Sequence, residues 1–245
     1  MHTLVVVPTF NEAENIEVLL TRVRAAVPSA DILVVDDNSP DGTGDLAEKT
    51  GEKLGQITVL RRPRKEGLGN AYRAGFRQGL DAGYKVLVQM DADLSHDPDV
   101  IPLLLAKVAE GADVAIGSRY VPGGATPNWP THRKLLSRYG NRYSGWALGL
   151  KLRDVTAGFR AYTAEILEAV KFDDTQANGY AFQTEVGYRI SKWGGKITEV
   201  PIIFTDRERG TSKMSGRIMA ESMTLVTWWG LRLRGERLRA RVKRG

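Results

Sequence analysis

The chain has 245 residues, 42% of them hydrophobic and 26% charged, an ordinary globular composition with enough length for one large domain and a sizeable core. It has no cysteine and three histidines, which excludes a disulfide scaffold, a thiolate zinc site and a cysteine nucleophile and fits a reducing compartment. Net charge is +6, but Arg232 to Gly245 holds seven basic residues and one acidic residue, so the first 231 residues balance at 28 of each sign and the basic character belongs to a tail.

Leu4-Val5-Val6-Val7 reads as a short strand ended by Pro8. Asn11 opens a helical pattern with Ile16, Leu19, Leu20, Val23 and Val27 at helical spacing. Ile32 to Val35 is a second strand, Asp45 to Lys53 a helix, Ile57 to Leu60 a third strand and Gly69 to Leu80 a helix. Val86 to Val88 is a fourth strand ending at Asp91, Pro98 to Glu110 a helix, and Val114 to Ile116 a fifth strand. Helices are expected over Arg133 to Leu150 and Ala181 to Trp193, a strand over Lys196 to Phe204, and a polar loop over Thr205 to Ser215. Beyond it, Ile218, Ser222, Leu225 and Trp229 share one helix face. Continuous apolar strands separated by helices imply a mostly parallel sheet covered on both faces, with ligands at the carboxyl ends of the strands. Met1 to Pro8 lacks the charged region and length of a signal peptide. The uncharged stretch Ser222 to Leu231 is ten residues, short of the roughly 20 of a spanning helix, so a soluble or peripheral chain is expected.

Asp91-Ala92-Asp93 is the strongest local signal. Residues i and i+2 of extended backbone point to one side, so two carboxylates at a strand's end can aim at one cation. Mg²⁺ or Mn²⁺ takes one or two carboxylates and completes its shell with water and substrate phosphates. A solvated acidic turn is the alternative. Asp36 to Thr43 is a turn whose Asp37, with Val35, could receive a base or ribose, or simply a capped loop. Pro8-Thr9-Phe10-Asn11-Glu12 could bring Phe10 and Glu12 to the same ligand, or be a helix start with Asn11 as its cap. Gly67-Leu68-Gly69 lacks the third glycine of a dinucleotide fingerprint and reads as a tight turn. Arg119 after the fifth strand, and Arg207 and Lys213 in the polar loop, could meet phosphates. Asp154 and Glu185 read equally as site carboxylates or as exposed surface groups.

Taken in order, these segments, with Gly117 to Tyr120, Asp154 to Arg160 and Gly179 to Glu185, resemble family-2 glycosyltransferases of the GT-A fold. More narrowly, they resemble dolichyl- or polyprenyl-phosphate mannose synthases over about 200 residues. The resemblance implies an α/β, Rossmann-like, mostly parallel sheet flanked by helices. It implies that Pro8, Phe10, Glu12, Val35, Asp37, Asp91 and Ala92 contact GDP-mannose, and that Asp91 and Asp93 hold Mg²⁺ or Mn²⁺ against its diphosphate. Arg119, Arg207 and Lys213 would bind donor or acceptor phosphate. It further implies inverting transfer of mannose to a polyprenyl phosphate, whose anionic oxygen has little need of a strong general base. Phe10 stands where tyrosine is frequent, and Ser95 where some relatives have a glutamine metal ligand.

A lipid acceptor gives the tail a use. Residues 1–215 would form the glycosyltransferase domain. Residues 216–245 would form an amphipathic, basic membrane-interface helix and tail, with Ile218, Met219, Met223, Val226, Trp228 and Trp229 as its apolar surface. The expected setting is peripheral, on the cytoplasmic face of a membrane, with a membrane-embedded subunit as a further partner and without nucleic acid, since no aromatics interleave the basic tail. A glucosyl or N-acetylglucosaminyl transferase, a catalytically silent nucleotide- or lipid-binding subunit and, last, a dehydrogenase are the competing readings.

Overall fold

The computed structural model describes residues 1–179, 181–206 and 216–242, the last stretch with side chains over 222–235. Among the described residues seven strands form one sheet: β1 (Thr3–Thr9), β2 (Asp31–Asp36), β3 (Ile57–Arg61), β4 (Val86–Gln89), β5 (Val114–Ser118), β6 (Arg160–Thr163) and β7 (Ile197–Pro201), in the order β3-β2-β1-β4-β6-β5-β7. The helices are α1 (Ile16–Ala26), α2 (Thr43–Leu54), α3 (Leu68–Asp81), α4 (Ile101–Ala109), α5 (Thr131–Leu148), α6 (Ala164–Ala169), α7 (Phe182–Trp193) and α8 (Gly216–Val242).

The uninterrupted apolar runs exist because both faces of the sheet are covered. Val5, Val7, Ile32 and Val34 pack on one side against Leu19 and Leu20 of α1 and Ile101 and Leu104 of α4. Leu4, Val6, Leu33 and Val35 pack on the other against Tyr72 and Phe76 of α3 and Phe182 and Val186 of α7. β1 pairs in parallel with β2 on one edge and β4 on the other, so the strand order reverses there. A crevice opens beyond the carboxyl ends of strands at such a point.

Several sequence expectations shift. A strand that the sequence pattern does not show, β6, has no apolar run and inserts antiparallel to both β4 and β5. Its Arg160 is fully buried, and its guanidinium donates to the carbonyls of Ala157 (2.8 Å), Val155 (2.8 Å) and Gln183 (2.7 Å). A polar side chain thus does structural work inside the sheet, where periodicity cannot find it. The helix expected over 133–150 runs from Thr131 to Leu148 and stops at Gly149, whose φ of 67° is left-handed. The last strand ends at Pro201, with only an isolated bridge from Ile203 to Ala125 beyond it.

The expected apolar surface of the C-terminal helix is also divided. Val226 and Trp229 are buried with Leu233 against Ala147 and Leu148 of α5, whereas Met223 and Trp228 are exposed. The side chains of Ile218 and Met219 lie outside the described residues. Packing of α8 on α5 takes the first pair because a helix beside a domain buries its most apolar stripe.

Candidate active site

One cleft gathers the chemistry at the carboxyl ends of β1, β2 and β4. It encloses about 210 Å³ and is lined by Pro8, Phe10, Glu12, Asp37, Asp91, Ala92 and Asp93, all expected from the sequence. Lys65, Leu68, Ala71 and Ala181 line it as well, with Ser222 and Leu225 of α8.

Two loops form its first wall, held together by side chains. Asn11 has a φ of 55°, so it is not the expected helix cap, and α1 begins only at Ile16. The amides of Asn11, Glu12 and Ala13 donate instead across to Ser39 Oγ (3.1 Å), Thr43 Oγ1 (2.9 Å) and Asp41 Oδ2 (3.0 Å). Buried Asp36 anchors the second loop, accepting from Thr9 Oγ1 (2.9 Å), Ser39 N (3.0 Å) and Ser39 Oγ (2.6 Å). Asp37 pairs with Arg62 at 2.7 Å, yet burial pushes its carboxyl above the ordinary carboxylate value and outweighs that cation. Lys65 Nζ stands 4.2 Å from the centroid of the Phe10 ring, a cation–π contact at the cleft wall. No local pattern marks Lys65, which sits in a charged loop after β3.

The acidic pair forms the second wall. β4 ends at Gln89, so Asp91-Ala92-Asp93 is a turn and not the strand end the spacing argument assumed. Leu94 takes a φ of 61° within it. Both carboxylates still reach the cleft because each is tied. Tyr72 Oη donates to Asp91 Oδ1 at 3.0 Å, and Ser95 donates to Asp93 Oδ1 through its amide (3.1 Å) and hydroxyl (2.5 Å). The Asp91 amide donates to Nδ1 of buried His96 at 3.2 Å, which leaves that ring's proton on Nε2. His96 lies five residues after Asp91 in the same segment, whereas Tyr72 carries no motif and only the fold brings it to Asp91.

Two carboxylates aimed into one cleft fit a hard divalent cation that draws its other ligands from water and a diphosphate. Among the described residues there is no group of three or more His, Cys, Asp and Glu that could form an all-protein metal cage. Ser95 is engaged with Asp93.

The remaining wall explains the glycines. Gly67 has a φ of 99°, and a Cβ there would stand 2.3 Å from the carbonyl oxygen of Asn178. A Cβ on Gly69 would stand 2.5 Å from that of Ala177. The tight turn is therefore also a backbone contact with segment 175–178. Glu185 holds that segment from behind, accepting from the amides of Gln176 and Ala177, each at 2.9 Å, and from Arg189. Its role is structural.

Other expected residues lie elsewhere. Val35 is wholly buried, its side chain in the core below the cleft. Arg119 is not among the lining residues: Asp154, fully buried, takes its Nε at 2.7 Å and Nη2 at 2.6 Å. Burial alone would lower the Arg119 guanidinium, but Asp154 prevails and holds it above its ordinary value. Asp154 is thus the partner of a cation, not a ligand carboxylate. Arg133, which the sequence did not single out, stacks 4.0 Å over Trp129, a ring that Arg119 approaches at 5.5 Å. The segment holding Asp154 returns to the cleft at Gly158, where a Cβ would lie 3.5 Å from Asp91 Oδ2. Arg207 and Lys213 lie outside the described residues.

Residues 4–171 match the model of the family described as glycosyl transferase family 2. The chain is 52% identical over 242 residues to an undecaprenyl-phosphate mannosyltransferase of Micrococcus luteus, covering 99% of each. It is 49% identical over 242 residues to polyprenol monophosphomannose synthase of Mycolicibacterium smegmatis, covering 98% of this chain and 91% of that one. Among solved structures, mannosyl-3-phosphoglycerate synthase of Rubrobacter xylanophilus superposes with a TM-score of 0.71 at 20% identity, covering 96% of this chain and 75% of that one. With the acidic turn, the crevice at the strand reversal and this match over most of its length, the chain belongs to glycosyl transferase family 2 and has its GT-A fold.

Proposed function

We propose that the chain transfers mannose from GDP-mannose to polyprenyl phosphate, giving polyprenyl mannosyl phosphate and GDP with inversion at the anomeric carbon. The observation that carries this reading is the single cleft with Phe10 and Asp37 on one wall and Asp91 and Asp93 on the other. That arrangement suits a ligand with a base and ribose at one end and a diphosphate at the other. Support for mannose and for a polyprenyl acceptor comes from the names of the two relatives, an undecaprenyl-phosphate mannosyltransferase and a polyprenol monophosphomannose synthase.

In this reading Pro8, Phe10, Glu12, Asp37 and Ala92 seat the nucleoside, with Val35 supporting the floor. Asp91 and Asp93 hold Mg²⁺ or Mn²⁺. When bound, the ion supplies charge neutralisation for the diphosphate leaving group. Tyr72, Ser95 and His96 keep the two acids aimed before substrate arrives, so little reorganisation is needed. An acceptor phosphate oxygen attacks the anomeric carbon, the bond from that carbon to the diphosphate oxygen breaks, and GDP departs with the electron pair. The attacking oxygen is already anionic, so no side chain is needed to remove a proton. Arg207 and Lys213 of the loop, and Arg119, which Asp154 orients outside the lining of the described cleft, are the proposed phosphate-binding cations.

Residues 1–215 are proposed as the catalytic domain and 216–245 as the interface helix and tail. Ser222 and Leu225 border the cleft, so position 215 divides roles more than folding units. Among the described residues no helix is long and apolar enough to cross a membrane. A peripheral place on the cytoplasmic face, where nucleotide sugars are made, completes the proposal.

The test offers labelled GDP-mannose and labelled UDP-glucose separately, with polyprenyl phosphate and Mg²⁺ or Mn²⁺, and follows label into the lipid phase. Label from GDP-mannose alone supports the proposal. Transfer from UDP-glucose instead, or from neither donor by active-site-intact protein, overturns it.

A further inference from the structure

The loop between β3 and α3 carries three cations, Arg62, Arg64 and Lys65. They are placed differently. The Arg64 side chain is 78% exposed, whereas that of Arg62 is 11% exposed and is paired with an Asp37 side chain at 6%. The Arg62 amide donates to the carbonyl of Asp36 at 2.8 Å, which carries the pairing of β2 with β3 one residue further. From there its guanidinium reaches the acid of the cleft. Nη1 donates to Asp37 Oδ1 at 2.7 Å, and Nη2 donates to Glu66 Oε2 at 3.1 Å. The Glu66 amide donates in turn to the Asp37 carboxylate. The three residues close a ring at the cleft wall, where Asp37 and Lys65 are lining residues and Lys65 lies over Phe10.

A tie between two loops does not call for a buried pair of ions, because both lose hydration and the net gain in stability is small. What the pair does secure is the ionised, acceptor-only form of an acid that borders the cleft. The groups acting on Asp37 oppose one another. Burial and the charge of Asp36 raise its carboxyl, while Arg62, the Glu66 amide and Lys65 lower it, with Arg62 the strongest of these three. Glu12, from the facing loop, lines the same cleft.

We propose, on the reading of this cleft as the donor site, that Arg62 is a positioning residue for the nucleotide: it holds Asp37 as an oriented carboxylate, which then accepts a hydrogen bond from an N–H or O–H of the nucleoside. Without Arg62 the strongest opposition to burial is gone, so Asp37 takes up a proton at higher pH than in wild type. The loss of nucleotide affinity is then greatest in acid and fades as pH rises. A loop that had merely become loose would lose affinity equally at every pH.

The test is calorimetric GDP affinity at saturating Mg²⁺ in a series from about pH 5 to about pH 8.5, each Kd divided by that of wild type at the same pH so that titration of GDP itself cancels. Arg62→Met should bind at least about fivefold more weakly at the acid end and come within about twofold at the alkaline end. Arg62→Lys keeps the charge without the planar fork and should lie between Arg62→Met and wild type. Asp37→Asn should be weak at neutral and alkaline pH, and adding Arg62→Met to it should weaken binding little further. In turnover, Arg62→Met should raise KM for GDP-mannose with kcat nearly unchanged, the signature of lost uniform binding. A deficit that does not vary with pH, full affinity in Arg62→Met, or wild-type affinity in Asp37→Asn overturns the inference. Should thermal unfolding show that Arg62→Met does not fold, an acid limb in Arg62→Lys that coincides with that of wild type overturns it. Wild-type protein that binds UDP in preference to GDP defeats the donor proposal alone, since the same ratios are then read with UDP.

Discussion

The phenol of Tyr72, wholly buried on α3, donates its proton to Oδ1 of Asp91 across 3.0 Å, so the first acid of the cleft is fixed from beneath by a residue that no solvent reaches. Burial, and then the Asp91 charge, push the Tyr72 phenol well above its ordinary value, so it remains a donor throughout the working pH range. Partners behind a metal ligand orient it, and losing one commonly costs about 10- to 100-fold in affinity. Tyr72→Phe keeps the ring stacked near Phe76 and Phe182 and removes only the hydroxyl. It should weaken Mn²⁺ binding, read by electron paramagnetic resonance, by about tenfold or more, with Tm nearly unchanged. Unchanged Mn²⁺ affinity would remove Tyr72 from the site.

Gly69 allows α3 to begin against the carbonyl of Ala177. A methyl group there would meet that oxygen at 2.5 Å and Phe182 Cβ at 3.0 Å, and neither atom is the end of a flexible chain. Gly69→Ala should therefore cost about 1–3 kcal/mol in chemical denaturation, the usual toll of overpacking. GDP affinity should fall with it, because Leu68 and Ala71 on the same turn line the cleft. A stable variant with intact GDP binding would show that the segment moves freely.

The Arg119–Asp154 pair should behave as a buried ion pair. Asp154→Ala leaves a guanidinium 10% exposed without its carboxylate and should cost about 3–5 kcal/mol. Arg119→Met in the same chain should recover much of that loss, since two uncharged groups replace one orphaned charge. A double-mutant cycle measures the coupling. Additive losses would mean that the two side chains do not depend on one another.

What the sequence made legible follows from the same physics. β1, β2 and β4 announce themselves because both their faces are covered, and Asp91 and Asp93 because two acids with one residue between them can face a single cleft from either a strand or a turn. β6 stays hidden because its inward groups are Arg160 and Tyr162, whose burial depends on the carbonyls of nearby Val155 and Ala157 and on Gln183 and Gln89 from distant segments. The carboxylate that holds Arg119 lies 35 residues away at Asp154, and no local pattern points to it. Lys65 is likewise brought to the cleft, and Tyr72 to Asp91, only by tertiary packing.

Asp41 gives the cleft an acid-sensitive joint. Its Oδ2 accepts the Ala13 amide at 3.0 Å, and its Oδ1 accepts the Thr43 amide at 3.1 Å and hydroxyl at 2.5 Å, while Thr43 Oγ1 takes the Glu12 amide. Burial would raise this carboxyl, but the hydrogen bonds from Thr43 and Ala13 prevail and hold it below its ordinary value of 3.8. A depressed carboxyl contributes stability that is present above the unfolded value and disappears as pH falls through the folded one. Asp41→Ala should thus destabilise the protein by about 1–2 kcal/mol at pH 7, as the loss of a capping carboxylate does. The gap between wild type and variant, from urea unfolding at a series of pH values, should stay constant down to about pH 4 and shrink below it. GDP affinity at pH 7 should also fall, because the amides that Asp41 and Thr43 secure belong to the loop carrying Phe10 and Glu12. A gap that persisted unchanged into strong acid would mean that the Asp41 carboxylate does not hold the two loops together.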